Sequence, residues 1–191
     1  DLNTIDNQII SNYIFNKNKS QSRIVNELID EKNFEIFKLF FLYNKNIFFK
    51  SFFNNSNINK DLNIFKEDLE YKPEFNYLIH VLVNKDMYDF VEFVINECKE
   101  FLINLNEKEN NKYNKKDYLQ FLKEFINSKD NYEYYPIHYA VTSGNFKLIN
   151  LLMENFADVS LVTKNGFNCL HLATTLNKLE IFIFIFEKNK D

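Results

Sequence analysis

Five side chains in this sequence could carry chemistry by their type: His80, His138 and His171, and Cys98 and Cys169. An imidazole can bind a metal or move a proton near neutral pH, and a thiolate can attack a carbonyl or ligate zinc. Both chemistries need partners close by, and zinc ligands in sequence-local sites come in pairs separated by a few residues. Here the histidines stand 58 and 33 residues apart with no second His or Cys at such spacing. Neither cysteine belongs to a recognisable nucleophile signature. The chain has only two glycines, Gly144 and Gly166, too few for a phosphate-cradling loop. The expectation is therefore structural histidines, buried structural thiols, no catalytic residue, no metal, no cofactor and no enzymatic activity.

The elements that position these residues show in the stretch 136–158, PIHYAVTSGNFKLINLLMENFAD. It holds two short helical patterns on either side of Gly144. The pattern returns 33 residues later around His171, and that interval is a known repeat period. The segment resembles an ankyrin repeat, whose consensus has a Pro-Leu-His opening, an Ala-Ala pair, a Gly-His turn, a Leu-rich second helix and a closing Gly-Ala-Asp. The resemblance implies an all-α, ankyrin-like helical-repeat solenoid of about four repeats with two insertions. It also implies that Pro136 opens an inner helix and that His138, His171 and His80 tie neighbouring turns together. Ala140 and Ala173 would be small because inner helices stack closely. Gly144 would take a positive φ, with Asn177 and Lys32 as less comfortable residues at the matching positions. Asn165-Gly166 falls at the family's hairpin turn, and the usual threonine before the proline is replaced by Tyr77, Tyr135 and Asn168.

In chain order, residues 1–15 carry one helical pattern, either the tail of an earlier repeat or a cap. The whole chain, 1–191, reads as a single repeat domain. Repeats are expected at about 22–43, 74–98, 130–162 and 163–191, and insertions at about 44–72 and 99–129. The second insertion begins as a charged, low-complexity loop and ends in a helical pattern from Tyr118 to Ile126 that packs back on the stack. The last segment, LEIFIFIFEKN, alternates Ile and Phe like a strand, but the 33-residue register makes it a helix. Such a helix is apolar around most of its circumference, so either more repeats beyond Asp191 or a docked partner should cover it.

Composition sets the partner class. The formal charge is −4, the sequence pI is about 5.5, and Arg23 is the only arginine, so no electrostatic footprint for nucleic acid exists. No apolar run reaches the length of a membrane span; the longest, Ile181 to Phe186, is far too short. Two isolated cysteines suit a reducing, cytoplasmic setting, or the cytosolic face of a membrane within a larger protein. The abundance of Phe (22) and Asn points to an AT-rich genome, which blurs motif matching at Leu and Ala positions.

Function follows from the resemblance: a protein–protein interaction or scaffolding module whose partner docks on the concave surface. By register, that surface maps to Val81, Asn84, Tyr139, Thr142, Leu172 and Thr175. Tyr132, Tyr134 and Tyr135 fall on the hairpin side of the third repeat. There they are either a contact hot spot or a product of composition. One rival is a substrate-recruiting segment of a larger enzyme or membrane protein, such as an ankyrin-bearing protein S-acyltransferase. Another is a spacer whose Phe-rich insertions bury the groove.

Overall fold

The computed structural model describes residues 21–54, 77–108 and 115–189. The helix expected within 1–15, residues 55–72 of the first insertion and 109–114 of the second lie outside the described residues. Among the described residues there are nine helices and no strand, so the all-α expectation holds. The chain divides into two compact units, Asp1–Asn76 and Tyr77–Asp191.

In the first unit, α1 (Gln21–Asp30) and α2 (Phe34–Asn54) form a helical hairpin. Ile24, Val25, Leu28 and Ile29 of α1 are buried, as are Phe37, Phe40 and Phe41 of α2. The second helix was expected to close near Tyr43 and instead runs eleven residues further. No glycine or proline interrupts 44–54, and Phe48, Phe49 and Phe53 renew the apolar spacing. Asn44, which could have broken the helix, is buried with its amide donating to the Phe40 carbonyl at 2.8 Å.

The second unit contains α3 (Leu78–Asn84), α4 (Tyr88–Lys108), α5 (Lys115–Ile126), α6 (Pro136–Ser143), α7 (Phe146–Glu154), α8 (Cys169–Thr175) and α9 (Leu179–Lys188). Helices α3, α6 and α8 pack side by side as an inner row. Each pairs with the helix that follows it, α4, α7 and α9, and α4 also touches α7. Ala140 and Ala173 sit fully buried in α6 and α8, where a bare methyl lets neighbouring helices approach closely; Leu82 is buried at the matching place in α3. Helix α5 packs on α4, as the sequence pattern suggested. The last segment is a helix despite its alternating pattern, with Ile181 and Ile185 buried and Leu179 67% exposed.

The turns within these hairpins share one geometry. Lys32, Asp86, Gly144 and Asn177 all have positive φ, at 53°, 62°, 89° and 56°. At Lys32, Asp86 and Asn177 the amide bonds the carbonyl three residues back and the next amide bonds the carbonyl five back, as in Lys32 to Ile29 and Asn33 to Leu28. That pair of bonds ends a helix by satisfying its last carbonyls. Only Gly144 adopts the conformation without steric cost. A second set of turns precedes α6 and α8. Glu133 (φ 60°) and Gly166 (φ 78°) lie 33 residues apart and donate to the carbonyls of Asp130 and Thr163. Asn165 does not share the positive φ of Gly166.

Candidate partner-binding surface

Each inner helix carries one histidine near its start, and the three are held differently. His138 is fully buried; its Nδ1 accepts from the Tyr135 amide at 3.4 Å and its Nε2 faces the Leu161 carbonyl at 2.9 Å. Nε2 must carry the proton there, so the ring is the neutral Nε2–H tautomer. His80 keeps the long-range bond, Nε2 to the Ser128 carbonyl at 2.9 Å, but its buried Nδ1 has no partner. His171 is exposed and binds only backwards, accepting from the Asn168 amide at 3.3 Å while Asn168 Oδ1 accepts from the His171 amide at 3.0 Å. Two of the three histidines, His80 and His138, thus join distant turns, and at His138 and His171 a backbone amide takes the place of the hydroxyl that the usual threonine would supply.

Burial governs their charge. It pushes the His80 pKa down to about 4, against the smaller opposing influences of Asp130 and of the Ser128 and Tyr134 backbone. Burial also lowers His138. Both rings are therefore neutral at pH 7.

The loop before α6 is organised by Asp130. Its Oδ1 accepts from the amides of Tyr132 and Tyr134, both at 2.9 Å, and its Oδ2 accepts from the Tyr139 hydroxyl at 2.6 Å. Burial first, and the Asp130 carboxylate second, push the Tyr139 hydroxyl pKa up, so it stays a donor. Across the same opening the Tyr77 hydroxyl donates to Asn131 Oδ1 at 2.6 Å. Tyr77, His80, Val81, Asn84, Asp130, Asn131, Tyr132 and Tyr139 line a pocket of about 220 Å³ between α3, α6 and this loop.

Four of the expected contact residues, Val81, Asn84, Tyr132 and Tyr139, are brought together at this pocket. Tyr132 is 74% exposed. Tyr134 stands beside it, half-buried, with its ring 5.4 Å from that of Tyr139 and edge-on to His138 at 5.8 Å. Thr142 and Thr175 lie elsewhere along the inner row, their hydroxyls donating to the Tyr139 and His171 carbonyls of their own helices at 2.9 and 2.8 Å. Leu172 departs from expectation: at 8% exposure it belongs to the core and offers a partner almost no surface. It occupies the register position of Tyr139 but lacks the polar tip that carries the tyrosine toward Asp130.

Sequence reasoning missed Tyr77, Asp130 and Asn131. The 33-residue register offered a signal for Asp130, because it falls on Thr163, whose Oγ1 likewise accepts from the Phe167 amide at 3.3 Å. Cys98 and Cys169 are free and fully buried, and burial raises the Cys169 thiol to about 12. Among the described residues no helix is long and apolar enough to cross a membrane.

The chain matches the family described as ankyrin repeats, in three copies, over residues 79–191. It is also similar to a fowlpox virus (strain NVSL) protein named as an ankyrin repeat protein, with 38% identity over 55 residues. That likeness covers 29% of this chain and 8% of the viral protein's length. The left-handed turns at Asp86, Gly144 and Asn177 and the His-to-carbonyl bonds of the inner row fall within the matched residues, and the turn at Lys32 lies outside them. The chain belongs to the ankyrin-repeat family.

Proposed function

We propose that this chain is a protein–protein recognition module whose partner docks on the inner row of helices, centred on the pocket between α3, α6 and the 130–134 loop. The observation that carries the reading is the convergence of an exposed tyrosine, Tyr132, with Tyr139, Val81 and Asn84 around one concave opening. Tyrosine supplies large contact area at low entropic cost, and contact energy concentrates in such pockets. Thr142, Thr175 and Tyr134 form the flanks of this surface. Helices α1 and α2 make a degenerate first repeat in the same reading, supported by the left-handed turn at Lys32 and its bonding pattern. Free, buried cysteines support a reducing, cytoplasmic setting.

The test is binding of a partner captured from the source cell, purified, and titrated against variants. Tyr132→Ala should weaken binding by about tenfold or more, since truncation of a central aromatic commonly costs over 1.4 kcal/mol. Asn96→Ala, on the exposed side of α4, should leave affinity within about twofold. Equal affinity for wild type and Tyr132→Ala would remove the pocket from the interface.

A further inference from the structure

The formal charge on the pocket's described walls has one sign. Among the described residues Asp130 is its only charged wall residue, and no lysine or arginine lines it. The carboxylate is held entirely by neutral donors, two amides and the Tyr139 hydroxyl. Among the described residues it makes no ion pair; its neighbours Lys129 and Glu133 pair with each other at 4.0 Å instead. His80 also lines the pocket, but its Nδ1 is sealed from solvent and takes no part in the opening. The second observation is the lining itself: Tyr77, Tyr132 and Tyr139 are three of its eight residues, and aromatic rings attract cations. A carboxylate without an ion-pair partner and a tyrosine-rich lining both favour a donor-rich cation.

We propose that this pocket receives a cationic side chain, a lysine or arginine, presented by the protein partner. The inference rests on the recognition reading and names the chemistry that its central pocket selects. A cation over tyrosine faces and beside a carboxylate should be preferred over a neutral isostere by about tenfold.

The test uses the full 191-residue chain, labelled with 15N. It is titrated with acetyl-Gly-Arg-Gly-amide and with its lysine, citrulline and norleucine counterparts. The arginine and lysine peptides should shift the amides of Asn84, Asn131 and Tyr132 and bind about tenfold more tightly than the citrulline peptide. Asn84→Lys, at an exposed position on the rim, should abolish those shifts by placing a fixed cation there while leaving the fold intact. If the citrulline or norleucine peptide shifts the same amides equally well, the cation is overturned and the pocket survives as a neutral contact. If no peptide moves them, the cation site is overturned. The recognition reading is then decided separately by the Tyr132→Ala binding comparison.

Discussion

The histidine turns at α6 and α3 begin from the same residue type and end differently. At α6, Tyr135 is extended (φ −105°, ψ 155°) ahead of Pro136, so its amide points at His138 Nδ1. At α3, Leu78 stands where the proline would be and Tyr77 is bent (φ −116°, ψ 18°). A residue before proline is pushed into the extended region, and without that constraint Tyr77 leaves His80 Nδ1 unpaired. Both turns keep the bond from Nε2 to a distant carbonyl. The difference teaches that the staple to a distant carbonyl survives without the bond within the turn, and that the in-turn bond follows an extended residue before the helix, as at Tyr135 before Pro136 and at Asn168 before Cys169. The pocket opens beside the incomplete turn, where a local rule is broken.

The largest expected effect separates the two histidines directly. His138→Ala strands the Leu161 carbonyl and the Tyr135 amide and opens a cavity, and should cost about 2–4 kcal/mol in urea unfolding. His80→Ala removes one bond together with an acceptor that was already unsatisfied, and should cost about 1–2 kcal/mol. Equal losses would erase the contrast.

Acid should sharpen it. The folded-state pKa of His80 is about 4, below the unfolded value of 6.5. Between those values the unfolded chain binds the extra proton, so stability rises with pH across the window. The contribution is fully present above pH 6.5 and is lost as pH falls toward 4, by up to about 3 kcal/mol. Carboxylates titrate in the lower part of that range too, so the informative quantity is the slope that His80→Gln removes. An unchanged slope in that variant would count against a neutral buried imidazole.

Smaller effects probe the left-handed turns. An added Cβ at Gly144 would meet Lys178 Nζ at 2.6 Å, the movable end of a long side chain, so the cost of Gly144→Ala lies mainly in its φ of 89°. It should be about 1–2 kcal/mol. Asn177→Gly should move the other way, stabilising by about 0.5–1 kcal/mol, because an exposed non-glycine residue already sits at φ 56° there. Thermal melts of the two variants shifting in the same direction would contradict a shared turn geometry.

Much of the fold could be read from the sequence because its signals were local or periodic. Pro136, Gly144, Gly166 and the 33-residue interval marked the turns, and that register overrode the strand-like alternation of α9. The extension of α2 to Asn54 escaped because Phe and Asn are too common here for their spacing to mark an end, and Asn44 bonds its own helix. The candidate surface was half legible. Register placed Val81, Asn84 and Tyr139 on the inner row. It also placed Leu172 there, whose exposure depends on packing that spacing alone does not encode. Asp130 stayed hidden because its turn uses Glu133 in place of glycine.

The most direct measurement is a long-range 1H–15N spectrum of the three imidazoles at pH 7, recorded alone and then with the captured partner. The account predicts neutral Nε2–H rings for His80 and His138, with the Nδ1 of His80 at the unbonded end of the range and that of His138 shifted by its hydrogen bond. Partner binding should move His80 most and His171 least. Matching Nδ1 shifts for the two buried rings, or a partner that leaves His80 unmoved, would contradict it.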